Sequence, residues 1–200
     1  MSRIALVRHG PTEWNAQKRL QGQADKPLSD EGRARVRTWR LPDDLHAFDW
    51  VASPLSRAQE TARLLGLDPA PEPALIEMHW GEWEGCTHTE LKEKYGAEFK
   101  RRAGRGIDLR PHGGESPREV RERFAGWAAS VGRSGRPMGA VAHQGIIRAA
   151  ISLATGWDMV NPLPDKMDWD AVHLFAVESD GTVSIERLNI SLLSSSQGAE

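Results

Sequence analysis

Two short runs of the sequence, Ile4-Ala5-Leu6-Val7 and Met138-Gly139-Ala140-Val141-Ala142, are apolar at every position. The first runs on into Arg8-His9-Gly10 and the second into His143-Gln144-Gly145. A strand with one face in water alternates apolar and polar residues. A strand that is apolar throughout has both faces covered, the situation found in parallel sheets flanked by helices. The rest of the chain supplies such helices. Leu55, Ala58, Ala62 and Leu65 recur at helical spacing, and Gly66 stands where a left-handed residue ends a helix. Ser116-Pro117-Arg118-Glu119 combines an N-cap, a proline at the first helical position and the glutamate of a capping box. Val120, Phe124, Trp127, Ala128 and Val131 then follow on one face, and Ile147, Ala150, Ile151 and Ala154 mark another that stops at Gly156. Shorter strands are expected at Asp49–Ala52 and Ala74–Ile76. Ala171–Glu178 and Thr182–Leu188 read as a hairpin turning on Ser179-Asp180-Gly181. The alternation predicts an α/β fold, a three-layer sandwich with a mainly parallel central sheet flanked by helices.

Size and charge narrow what such a sheet serves. A chain of 200 residues buries enough surface to need no disulfide or structural metal. The only cysteine, Cys86, has no internal partner, and Met1-Ser2-Arg3 leads into a short apolar stretch without signal-peptide anatomy, so a cytoplasmic protein is expected. No apolar run approaches the ~18 residues of a bilayer span, and no membrane partner is expected. A net charge of −2 and a pI near 6.4 argue against the general basic field that attracts nucleic acid. An anionic ligand must therefore be held by a local cluster.

In parallel sheets ligands bind beyond the carboxyl ends of the strands. There the first strand ends in Arg8-His9-Gly10, the second in Ser53-Pro54-Leu55-Ser56-Arg57, and the late one in His143-Gln144-Gly145. Two histidines and two arginines thus meet at one edge, with glycines that let backbone approach a ligand. Arg57 falls in the first turn of a helix, where the N–H groups already favour an anion and a cation gains nothing from the macrodipole. Each residue alone has a bland explanation as a surface or hydrogen-bonded side chain; the convergence points to phosphate.

The sequence resembles the histidine phosphatase superfamily, also called phosphoglycerate mutase-like. The resemblance rests on Arg8-His9-Gly10-Pro11-Thr12-Glu13-Trp14-Asn15, on Gln21-Gly22 with Pro27-Leu28-Ser29-Asp30-Glu31-Gly32, and on Ser53 to Ala62. It continues with Glu77 and Gly81-Glu82-Trp83-Glu84-Gly85, and with Ala142-His143-Gln144-Gly145 and Arg148. It implies one histidine phosphatase domain over residues 1–193, with a lid-like segment inserted at about 86–114 and a polar tail at 194–200. It further implies that His9 is the nucleophile that forms a phosphohistidine, with one ring nitrogen held as donor by the Gly10 carbonyl. Arg8 and Arg57 would grip phosphoryl oxygens, and His143, protonated in the anionic complex, would stabilise charge on the transferring group. Glu77, at the end of the short third strand, would serve as acid and base, with Glu82 and Glu84 as rivals. Asn15, Gln21, Gly22 and Gln144 would bind substrate. Two positions depart from the family pattern: Gln144 stands where Gly is common after the second His, and Pro11 replaces a polar residue.

The implied activity is that of a metal-independent, histidine acid phosphatase-type phosphomonoesterase acting on a small phosphorylated metabolite, releasing inorganic phosphate and using no cofactor. A mutase is the first alternative. The segment between Cys86 and Gly114 is short for a mutase cover, and Glu77-Met78-His79-Trp80-Gly81 lacks the Arg, Tyr and Lys pattern that grips a phosphorylated acid. Loss of turnover, leaving a phospho-ligand binding module, is the second. The segment carries Lys92, Lys94, Lys100, Arg101, Arg102, Arg105 and Arg110, read either as a solvated face or as a lid for a second anionic group. Trp80 and Trp83 beside it either stack on a ring-bearing leaving group or fill a core edge. His79, Cys86, His88 and His112 match no paired-ligand spacing, so no metal is expected. A homodimer is compatible with the sequence.

Overall fold

The structure, a computed structural model, describes residues 1–193, and the tail expected at 194–200 lies outside them. Strands β1 (Ser2–Arg8), β2 (Asp49–Ala52), β3 (Ala70–Pro71), β4 (Met138–Ala142), β5 (Ala171–Val177) and β6 (Val183–Ser191) form one sheet in the order β3-β2-β4-β1-β5-β6. The first four run parallel; β5 pairs antiparallel with β1, and β6 with β5. Helices α1 (Glu13–Ala16), α2 (Asp30–Arg37), α3 (Ser56–Leu64), α4 (His88–Ala103), α5 (Pro117–Ser134) and α6 (Gln144–Thr155) complete the α/β architecture.

The apolar runs behave as their composition requires. Along β1, Ile4 and Leu6 point to a core shared with Phe124 and Val131 of α5 and Ile147 and Ile151 of α6. Ala5 and Val7 point the other way, to a core with Val36 of α2 and Ala58 and Ala62 of α3. Both faces of the sheet are thus sealed, and the ends of its central strands are held rigidly. The Ser116 capping box is formed, with Ser116 Oγ accepting from Glu119 N and Glu119 accepting from Ser116 N, and Gly156 ends α6 at φ +72°. In a third, small cluster, Trp83 packs with Leu91 and Phe99 of the 86–114 segment. Its two ends are tied to one loop: Glu82 N donates to His112 O at 3.0 Å and Glu115 N to His79 O at 2.8 Å.

One expected strand is not a strand. Ala74–Ile76 belongs to a 3-10 turn over Pro73–Leu75, and the edge strand lies earlier, at Ala70–Pro71. Pro73 fixes a helical φ and the Glu72 side chain caps Ala74 N at 2.9 Å, which together favour the turn. Glu77 consequently stands in a loop beyond that turn rather than at a strand end.

Candidate active site

Strands β2, β4 and β1 are neighbours, and their pairing continues past the strand ends. His9 N donates to Ala142 O at 3.0 Å and Ser53 N to Val141 O at 2.9 Å. The residues after each strand are therefore set side by side. The rings of His9 and His143, 134 positions apart in the chain, lie 5.1 Å apart between centroids at an interplanar angle of 58°.

His9 Nδ1 is 2.7 Å from Gly10 O. A carbonyl only accepts, so Nδ1 carries the hydrogen and Nε2 keeps its lone pair. Gly10 is itself held, its N–H donating to Thr61 Oγ1 of α3 at 3.0 Å, and Val36 fills the space a side chain at position 10 would need. His143 Nε2 meets Ser53 Oγ at 2.7 Å, while its buried Nδ1 has no partner among the described residues. Burial, together with the charges of Arg8 and Arg57, holds both imidazoles well below their ordinary pKa. Both rings are thereby biased towards the neutral form. The protonated His143 expected in an anionic complex needs the ligand's charge to reverse that bias.

Arg57 is fully buried in the first turn of α3. It donates to Gly22 O at 2.7 Å and Ala24 O at 3.0 Å, so it braces the 22–24 loop as well as charging the site. Arg8, at the end of β1, and Arg148, one helical turn beyond Gln144 on α6, approach the same Trp169 ring, at 6.0 and 5.8 Å. Burial lowers the pKa of all three guanidiniums, and Glu77 is the carboxylate that opposes the shift at each. Five buried side-chain nitrogens lack partners among the described residues: Arg8 Nε, Arg57 Nε, His143 Nδ1, Arg148 Nε and the remote His173 Nε2. Buried polar groups are nearly always paired. Three unpaired guanidinium donors and one unpaired imidazole nitrogen in one cluster suit an oxyanion.

The three glutamates separate by environment. Glu77 lines the cavity; its Oε1 accepts from Met78 N at 2.8 Å and its Oε2 from Gly145 N at 3.3 Å, at the start of α6. Glu84 accepts from Gln23 N, Ala24 N and Trp80 N at 2.8, 3.0 and 3.2 Å, fastening the loop that Arg57 braces. Glu82 accepts from Tyr95 Oη at 3.2 Å and does not line the cavity.

Asn15 and Gln21 line the cavity with their oxygens engaged: Asn15 Oδ1 accepts from Thr12 N at 3.0 Å and Gln21 Oε1 from Thr12 Oγ1 at 2.9 Å. Each amide NH₂ is then the end available to an anion. Gly22, at φ +55°, lets backbone pass where Glu84 leaves no room for a side chain. Gln144 opens α6 at the cavity wall. The cavity is about 450 Å³.

Other expectations fare differently. Among the described residues no group of three or more His, Cys, Asp or Glu side chains is gathered to hold a metal, so His79, Cys86, His88 and His112 do not form a site. None of the seven cations of the 86–114 segment lines the cavity. Trp83 is buried in the small cluster it forms with that segment, and Trp80, stacked on it at 6.1 Å, faces the cavity. Arg148 was legible only as part of a motif, although its position four residues after Gln144 puts both on one helical face. Trp169 carried no signal. Among the described residues no helix is long and apolar enough to cross a membrane.

A doubly covered α/β sheet presents two imidazoles and buried guanidiniums at its carboxyl edge. The family model for the histidine phosphatase superfamily (branch 1) matches residues 4–191. The chain belongs to that superfamily. It is 38% identical over 183 residues to a glucosyl-3-phosphoglycerate phosphatase of Mycolicibacterium vanbaalenii, covering 80% of this chain and 76% of that one. It is 36% identical over 131 residues to a 2,3-bisphosphoglycerate-dependent phosphoglycerate mutase 2 of Gloeobacter violaceus, a match spanning 60% of this chain and 58% of the relative. Among solved structures, Bacillus stearothermophilus YhfR superposes with a TM-score of 0.81 at 25% identity, covering 95% of this chain and 98% of that one.

Proposed function

We propose that the protein is a phosphomonoester hydrolase that works through a phosphohistidine on His9 and needs no metal. The observation that carries the reading is the set of unpaired buried donors around the two facing imidazoles. His9 Nε2, its lone pair free, attacks phosphorus; the P–N bond forms as the P–O bond to the organic group breaks. Arg8, Arg57 and His143 hold the non-bridging oxygens as their charge develops, and the amides of Asn15, Gln21 and Gln144 with the backbone of Gly22 add donors. Glu77 gives its proton to the departing alkoxide. As carboxylate it then takes a proton from water, whose oxygen attacks phosphorus, breaks the P–N bond and releases inorganic phosphate. The substrate is a small phosphorylated metabolite, and the 86–114 segment acts as its cover.

The test is hydrolysis of p-nitrophenyl phosphate in EDTA, inhibition by vanadate, and trapping of an acid-labile phosphoryl-enzyme. His9→Ala is expected to abolish turnover and trapping while the protein stays folded. Turnover that survives His9→Ala, or that EDTA abolishes and zinc restores, overturns the reading. Isomerisation of 3-phosphoglycerate without phosphate release identifies a mutase instead.

A further inference from the structure

We infer that the half of the cavity away from His9 and His143 selects an uncharged, apolar organic group. The substrate class is then a phosphomonoester of an alkyl or aryl alcohol rather than of a sugar acid. This deepens the proposed phosphohydrolase reading and rests on it for catalysis, though not for binding. A volume of about 450 Å³ falls within the ~300–1,000 Å³ of small-molecule sites, so a sizeable organic group fits beside the phosphoryl group. Beyond the phosphoryl end the wall is mostly apolar, with Leu20, Met78, Trp80, Leu109, Val120 and Met159 beside Arg19 and His88, whose ring packs edge-on against Phe99 at 5.8 Å.

A carboxylate on the organic group would need a cation there; Arg19, Arg102, Arg110 and Lys94 are engaged elsewhere, and Lys92, Lys100, Arg101 and Arg105 do not line the cavity. Arg19, which does line the cavity, donates to Glu90 and to Gly85 O. Arg102 pairs with Glu98 and donates to Arg110 O, Arg110 pairs with Glu119 and donates to Gly114 O, and Lys94 lies over Tyr95. Arg148 shares the Trp169 ring with Arg8 and so belongs to the phosphoryl end. An acid group seated against the apolar wall would lose water without gaining a partner, whereas an alkyl group gains by leaving water.

The wall is built rather than incidental. Ile107 N donates to Asp158 O at 2.8 Å, joining the 86–114 segment to the loop after α6. Gly106, at φ +54°, fits against that loop where a side chain would collide with Asp158 O and Val160. This junction sets Leu109 and Met159 over the cavity from two separate stretches of chain.

Two measurements on the full chain test the inference. In calorimetry, hexylphosphonate is expected to bind at least about tenfold more tightly than 3-phosphonopropionate, a modest demand given what one methylene contributes in an apolar pocket. In turnover, hexyl phosphate is expected to exceed both 3-phosphoglycerate and glycerol 3-phosphate in kcat/KM by at least about tenfold, mainly through KM. All three release unactivated alkoxides, so help from the acid does not bias the comparison. Leu109→Ser and, separately, Met159→Gln should each shrink the hexyl advantage severalfold. Equal or reversed phosphonate affinities overturn the inference, as does an advantage untouched by both variants. Phosphonate discrimination without any turnover leaves the inference standing and sinks the hydrolase reading.

Discussion

The Oε1 atom of Glu77 occupies the space that a Cβ on residue 145 would take, while Gly145 N donates to the other carboxylate oxygen at 3.3 Å. The glycine and the acid therefore fit only together. Gly145→Ala should push the carboxylate aside without harming the fold. The obstacle is the movable end of a side chain, and Ala is favoured over Gly in a helix by up to about 1 kcal/mol. The expected result is a melting temperature at or above wild type with kcat lowered on the order of a hundredfold, the cost of misplacing a reacting group by about 1 Å. Differential scanning calorimetry alongside steady-state kinetics checks both halves.

Glu77 and Glu84 make opposite predictions for the same Glu→Gln change. If Glu77 protonates the departing alkoxide, Glu77→Gln lowers kcat for alkyl phosphates by about 10²–10⁴. It should affect p-nitrophenyl phosphate far less, because that leaving group departs without a proton. Glu84 instead accepts three backbone N–H bonds. Turning one of its oxygens into an NH₂ leaves an N–H facing a donor, at a cost of about 1–3 kcal/mol. Glu84→Gln should therefore lower the melting temperature and depress activity equally for all leaving groups. The dependence of kcat on leaving-group basicity, measured in both variants, separates the two. A flat response to Glu77→Gln would remove Glu77 from the acid role.

Much of the fold was legible because β1 and β4 are apolar on both faces and α5 carries its own start signal. A single period or a single cap decided each. Ala74–Ile76 was misread because three apolar residues are too few to reveal a period, and the neighbouring Glu72 and Pro73 determine the turn. At the site, His9 and His143 could be paired from strand ends alone. The choice among Glu77, Glu82 and Glu84 could not, since loop carboxylates have no periodicity and only their partners distinguish them. The seven cations of the 86–114 segment show the same limit: sequence gives their charge but not the direction in which Glu98 and Glu119 draw Arg102 and Arg110.

His9, His143 and His173 are buried, and burial depresses the pKa of each, that of His173 down to about 4. The unfolded chain, with ordinary histidines near pH 6.5, then binds more protons than the native state across the window below that value. Their contribution to stability is whole above about pH 6.5 and declines as pH falls towards 4 for His173, and further for the other two. His173 lies outside the cavity lining and accepts from Asn189 N at 3.3 Å, so His173→Gln can keep an acceptor without a titrating group. The variant should show a shallower loss of stability between pH 6.5 and 4 in urea titrations, with activity at pH 7 retained. A slope equal to wild type would mean that His173 is not charged on unfolding in this range.

Trp169 does not itself line the cavity, yet Arg8 and Arg148, which do, both lie against its ring, at 6.0 and 5.8 Å. Two like charges held near each other need a shared surface, and an aromatic face attracts each by about 0.5–2 kcal/mol depending on exposure. Trp169 is thus a positioning residue for the arginines. Trp169→Leu keeps an apolar side chain but removes the π face; it should weaken vanadate binding and lower kcat/KM by about tenfold. Trp169→Phe should recover most of that loss, which a role in apolar packing alone would not require. Leucine and phenylalanine variants that bind vanadate equally well would show that packing, not the ring's charge distribution, sets the arginines.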